Sequence, residues 1–289
     1  MTVSEAFQIF KSQLELPDRR QKEAASAQQE IRQKISGFLP IENSFLTGSY
    51  ARYTKIDPLA DIDVFLVRNK HRTTVSTDGN GVLPDSALDQ VVDAARRAYP
   101  LTATINKQNR SVNVQISGLP FGFDLTPAWL RHPDGYLIPD ADAGIWIPSD
   151  PDAHTARMTV ANEVNGGKLK PVIKMVKHWS RNNFDLLRSF HIELICADIF
   201  LTENLDNYQL GVATVLVRLP KYIGQRMMDP TYGQARVDKE LTAEELNQLL
   251  SRANYDGGNA IEAIKLERMD RDEEAIGKWK HIFLTGFPR

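Results

Sequence analysis

Cysteine is nearly missing from this chain. One residue, Cys196, stands among 289, which excludes an internal disulfide framework and a thiolate zinc site. It lies in "HIELICADIF", where a small buried core residue is the simplest reading. No uncharged apolar run approaches membrane-spanning length, and the opening "MTVSEAFQIFKSQLE" lacks the basic-then-apolar order of a signal peptide. An excess of one charge sign is absent too: 35 Lys and Arg face 37 Asp and Glu, for a net charge of −2. Such a chain does not coat nucleic acid with its whole surface, although a local basic groove stays open. Repeats and low-complexity tracts are also lacking. The expectation is a cytoplasmic globular protein with no membrane partner and no stable nucleic-acid partner. Its length and its 42% hydrophobic content leave room for two cores.

What the chain does have is "FLTGSYARYTKIDPLADIDVFLV", residues 45–67, where Asp61 and Asp63 interrupt an apolar run. A carboxylate in an apolar strand is destabilised unless something compensates it. Side chains alternate along a strand, so Asp61 and Asp63 share one face and Ile62 and Val64 the other. In "FGFDLTP" the same alternation sends Phe121, Phe123 and Leu125 to one side and Asp124 to the opposite one. If the two strands are neighbours, three carboxylates converge. Such hard oxygen ligands suit two ions of Mg²⁺ or Mn²⁺, with substrate phosphates completing the shell. Asp140/Asp142, Asp150/Asp152 and Asp270/Asp272 repeat the spacing, but their Pro-rich or charged surroundings point to solvated surface.

The rest of the chain reads as an α+β protein. Residues 4–38 are helical with a break at Pro17–Asp18, and a strand covers Ile62–Val67. The segment 69–86 reads as a loop, followed by a helix capped at Asp85/Ser86. Val112–Ile116 and Phe121–Leu125 form a hairpin. Residues 131–167 read as loops. From Lys170 the chain is mainly helical, with one helix over "TAEELNQLLSRA" and a last one from Asn259 toward Ile282. The expected division is a mixed lobe over 1–160 and a helical lobe over 161–289, with a cleft between them where a small ligand binds.

Gly48 allows close backbone approach to a ligand, and Ser49 offers a hydroxyl and an N–H. Free N–H groups at the start of a short helix in "SYARYT" would suit a triphosphate. In "LKPVIKMVKHWSR", Leu169, Val172, Ile173 and Val176 form a core stripe, while Lys170, Lys174, Lys177 and Arg181 form a basic one. Aimed into the cleft, the basic stripe would bind phosphates; its ordinary alternative is a solvated helix face.

Gly48-Ser49, Asp61-Ile62-Asp63-Val64 and Phe123-Asp124-Leu125 together resemble the motif of the polymerase-β-type nucleotidyltransferase superfamily. The longer wordings "GSYARYTKIDPLADIDV" and "LKPVIKMVKHWSRNN…LRSFHIELI" resemble, more narrowly, the bacterial cGAS/DncV-like nucleotidyltransferases, relatives of oligoadenylate synthetase. Beyond about residue 200 the likeness is architectural. The resemblance implies a polymerase-β-type lobe followed by an oligoadenylate-synthetase-like helical lobe. It implies that Asp61, Asp63 and Asp124 hold metal, and that Gly48, Ser49, Lys177 (two residues before Trp179) and Ser189 hold the donor triphosphate. Lys174, on the same basic stripe, joins that nucleotide-binding set. The implied activity joins ATP, GTP or other NTPs into a cyclic di- or trinucleotide for anti-phage signalling. Its partners would be a downstream effector reached through the diffusible product, and regulatory proteins. His191 would either reach the nucleotide or be a hydrogen-bonded structural histidine. The rival activities are nucleotide addition to RNA ends or to a protein acceptor, and a catalytically silent nucleotide sensor.

Overall fold

The computed structural model describes residues 1–68, 81–131, 133–233 and 235–288. Helix α1 (Val3–Gln13) starts at a Thr2/Glu5 capping box, and Pro17 separates it from α2 (Asp18–Ser36). Strand β1 (Ile41–Leu46) leads through the one-turn α3 (Gly48–Ala51) to β2 (Asp61–Arg68). Then follow α4 (Pro84–Ala98), β3 (Ala103–Lys107), β4 (Val112–Ile116) and β5 (Gly122–Leu130). Leu83 is the N-cap of α4 and Pro84 opens its first turn, so Asp85 and Ser86 lie inside the helix instead of capping it. The part of the expected loop at 69–80 lies outside the described residues.

The sheet order is β1-β2-β5-β4-β3. β2 and β5 run parallel, while β4 and β5 form the expected antiparallel pair. Ile62, Val64 and Leu66 of β2, with Phe123 and Leu125 of β5, are fully buried against α2 and α4. That burial fixes the register, because a slip of one residue would drive Asp61 and Asp63 into the core.

Within the expected loop region 131–167, most of residues 136–164 are regular structure. They form β6 (Tyr136–Asp140), β7 (Ile145–Ser149) and α5 (Pro151–Val164). Prolines at 139 and 148 hide the strand pattern, yet Ile138 and Ile147 pair across the hairpin and pack with Phe65 and Ala128. Asp140 sits in β6 paired with Arg110 at 2.8 Å, and Asp150 caps α5 through Ala153 N–H at 2.9 Å; neither is a merely solvated acid.

The remaining helices are α6 (Leu169–Asn182), α7 (Ser189–Ile199), α8 (Tyr208–Arg218), α9 (Ala243–Glu267) and α10 (Asp272–Phe283). Leu169, Val172, Ile173 and Val176 of α6 are fully buried, as the core stripe requires. α9 continues through Gly257-Gly258 where the sequence suggested a break. A Cβ at Gly257 would lie 3.3 Å from the Leu216 carbonyl oxygen, so this glycine serves close approach to α8. The break falls instead at 268–271, around Asp270 in the left-handed region. At the N-terminus packing departs from chain order. α2 joins the sheet core, but α1 inserts Phe7 and Phe10 among Trp279, Phe283 and Phe287 of the helical core. Among the described residues no helix is long and apolar enough to cross a membrane.

Candidate active site

The parallel pairing of β2 with β5 sets Asp63 opposite Asp124 and Asp61 opposite Gly122. All three carboxylates therefore emerge on the sheet face away from α2 and α4. Asn113 on β4 is opposite Asp124, and its amide nitrogen donates to Asp61 and to Asp124 at 2.9 Å each. Gly122 leaves the room this needs, since a Cβ there would overlap the Asp61 carboxylate. Burial pushes the Asp63 carboxyl up to about 6, and Asp124 beside it adds to the rise while Arg52 opposes it. Burial also raises Asp124; the Asn113 hydrogen bond opposes this and Asp61 adds to it.

These are carboxylates short of positive charge, a donor set of hard oxygens that fits a divalent cation. Among the described residues no three His, Cys, Asp or Glu side chains close into a ready cage. An open arrangement suits Mg²⁺, which keeps several waters and takes part of its shell from substrate phosphate.

Gly48 faces Asp63 from the turn after β1. Its φ is +64°, and a Cβ would overlap the Asp63 carboxylate, so both conformation and space require glycine. α3 is a single turn held by Thr54 and Lys55 N–H groups on the Ser49 carbonyl, at 3.0 and 3.2 Å.

Gly48, Ser49, Asp61, Asp63, Asp124, Lys177 and Ser189 line one cavity of about 390 Å³. The first five come from the sheet lobe and the last two from α6 and α7, so the cavity is the expected cleft. Lys174 does not line it. Its ammonium is held at 2.6 and 2.7 Å by Glu15, on the link between α1 and α2. The basic stripe thus splits by environment: Arg181 lines the cavity, Lys170 lies over the Tyr53 ring, and Lys177 is buried. His191 is buried, does not line the cavity, and neither ring nitrogen has a hydrogen-bond partner among the described residues.

Sequence reasoning missed a buried cluster beneath the cavity. Glu193 of α7 accepts from Arg52 at 2.6 Å, from the Thr54 hydroxyl at 2.8 Å and from Lys177 at 2.6 Å. A lone acid in the apolar run "HIELICADIF" was the available signal. Asn113, a polar residue alternating with Val112 and Val114, was marked only by its side of the strand.

Residues 1–162, more than half of the chain, match the family described as Second Messenger Oligonucleotide or Dinucleotide Synthetase domain, SMODS. The chain belongs to the SMODS family. The match spans Gly48 to Asp124 and ends before α6 and α7. A cyclic AMP-AMP-AMP synthase of Acinetobacter sp. (strain ATCC 27244 / 9458) is 28% identical over 272 residues, covering 86% of this chain and 73% of the relative. A probable cyclic nucleotide synthase of Bacillus cereus (strain VD146) is 26% identical over 271 residues, covering 83% and 81%. Escherichia coli MS115-1 CdnC with ATP superimposes with a TM-score of 0.76 over 99% of both chains at 17% identity. Vibrio cholerae DncV without ligand gives 0.80 over 100% of this chain and 96% of its own, at 13% identity. The SMODS chain thus has the polymerase-β-type α+β fold, and it is a cGAS/DncV-like nucleotidyltransferase.

Proposed function

We propose that this enzyme joins NTPs into a cyclic di- or trinucleotide second messenger in two or three successive transfers at one site, releasing pyrophosphate each time. The observation that carries this reading is the placement of Asp63 and Asp124 abreast on one wall of a cavity, with Lys177 and Ser189 on the other. The names of the two curated relatives support a cyclic product, and that of the Acinetobacter enzyme supports ATP as a substrate.

In this reading, Asp61, Asp63 and Asp124 would hold two Mg²⁺ or Mn²⁺ ions. Bound there, such ions would supply Lewis-acid activation of the attacking oxygen and neutralisation of the leaving pyrophosphate. The chain's own residues do the rest. Gly48 and Ser49 let the donor triphosphate approach the backbone, and Lys177 and Ser189 hold it from the helical lobe. Asp124, raised by burial, takes the proton of the acceptor ribose hydroxyl. An oxygen–phosphorus bond forms at the α-phosphorus and the bond to the β-phosphate oxygen breaks. Catalysis is chiefly positioning and charge neutralisation.

The division of labour between a lobe over 1–160, without α1, which packs in the helical core, and a lobe over 161–289 belongs to the same proposal, as do a cytoplasmic site of action, a role in anti-phage signalling and an effector reached through the product. A regulatory protein partner is included because Escherichia coli MS115-1 CdnC has been solved in complex with HORMA-deltaN.

Purified protein with four NTPs and Mg²⁺ or Mn²⁺ tests the reading. The expected product resists alkaline phosphatase and has the exact mass of a closed ring. Phosphatase-sensitive products, or products seen only with added RNA or a protein acceptor, would move the assignment to end-addition.

A further inference from the structure

One buried carboxylate joins the two walls of the cavity. Glu193, with no exposed surface, receives Nε and Nη2 of Arg52, the C-cap of α3, at 2.6 and 3.3 Å, and Lys177 Nζ from α6 at 2.6 Å. Arg52 and Lys177 are each only 5% exposed. Breaking such a pair leaves an uncompensated buried charge and is strongly destabilising. Glu193 suits neither phosphate nor metal: it repels the first, and both of its oxygens are already occupied by donors.

Its effect falls on Lys177. The amine gives its other hydrogens to the Thr54 carbonyl at 3.1 Å and hydroxyl at 3.3 Å, longer contacts than that to Glu193. A phosphate oxygen can replace these neutral acceptors with a charge-assisted bond while the 2.6 Å contact persists. The groups around Lys177 are Glu193 and Cys196 of α7 and Arg52 at the end of α3, with Asp63 of β2 beyond Arg52. Burial and Arg52 both favour the uncharged amine, Glu193 opposes them, and Cys196 is a thiol whose ionisation burial pushes far up.

We propose that Glu193 is a positioning residue for the donor nucleotide, keeping Lys177 charged and aimed at the triphosphate without itself touching substrate. This rests on the reading of the cavity as the donor NTP site.

The test is equilibrium binding of the α,β-methylene analogues of ATP and GTP with Mg²⁺, for wild type and Glu193→Gln, between about pH 7 and about pH 9. Taking the ratio of the two proteins at each pH removes titration of the ligand. The expected result is that Glu193→Gln loses affinity relative to wild type by about tenfold or more across this range, as its Lys177 gives up a proton. Glu193→Asp, which keeps the charge, restores the wild-type profile. If Glu193→Gln does not fold, Glu193→Asn against Glu193→Asp gives the same contrast at equal size. A ratio that stays constant with pH, or loss of folding in every neutral variant, assigns Glu193 to packing alone and overturns the proposal. A wild-type protein that binds neither analogue overturns the reading of the cavity, and the inference with it.

Discussion

Asp63 of β2 and Asp124 of β5 are direct partners in a parallel strand pair, so their carboxylates leave the sheet side by side on the same face. Parallel neighbours in register keep identical side-chain alternation, and the hydrophobic residues between the acids lock that register. The cost of crowding two acids is visible in Asp63, held up at about 6 by burial and by Asp124.

That cost makes a stability prediction. Below about pH 4 Asp63 is protonated in folded and unfolded chains alike and carries no penalty. As pH rises from about 4 to about 6, the folded state resists losing a proton that the unfolded state gives up freely, so metal-free stability falls. Asp63→Asn should abolish turnover yet raise metal-free stability above pH 6 by roughly 2–3 kcal/mol, a gain that vanishes below about pH 4. Added Mg²⁺ or Mn²⁺ should stabilise wild type and leave the variant nearly unchanged. Thermal melts at several pH values, with and without EDTA, read all of this; a variant with wild-type product formation would end the metal assignment.

Gly48→Ala should be inactive, because the new methyl overlaps the Asp63 carboxylate and φ is +64°. The left-handed backbone alone costs about 1–2 kcal/mol with a side chain. Lower melting temperature together with lost Mn²⁺ binding is the expected pair of results. Normal ion binding and turnover would show that the close approach is unimportant.

Lys177→Ala and Lys174→Ala should separate although they lie three residues apart on one helix. Losing Lys177 removes a cation from the cavity and should weaken donor NTP binding by about 10- to 100-fold. Losing Lys174 breaks a pair with the half-exposed Glu15 and should change binding by less than about threefold. Calorimetric titration decides; equal losses would restore Lys174 to the nucleotide site.

Glu193 should leave a mark on acid stability. Lys177 and Arg52 overcome its burial and hold its carboxyl down at about 2. Its contribution is therefore complete above about pH 4.5 and is lost as pH falls toward 2. In Glu193→Gln this part of the acid unfolding profile should flatten, measured by circular dichroism between about pH 2 and about pH 5. An unchanged profile would mean that other groups govern acid unfolding.

Period-two alternation and the Gly-Ser turn mark out Gly48, Ser49, Asp61, Asp63 and Asp124, which the fold brings to one cavity, because strand chemistry repeats locally and an acid in an apolar strand is conspicuous. The buried stripe of α6 was legible for the same local reason. The β6–β7 hairpin was not, because Pro139 and Pro148 break the alternation that normally signals strands. Nor was α9, whose Gly257-Gly258 reads as a stop until α8 lies against it. The sequence by itself determined which side chains could share a face. Only the tertiary structure decided which faces meet: that α1 joins the helical core, that Lys174 turns to Glu15 while Lys177 turns to Glu193, and that Arg52 completes the cluster. Arg52 and Glu193 are 141 residues apart in the chain, and an electrostatic bond across that span leaves no periodic trace in sequence.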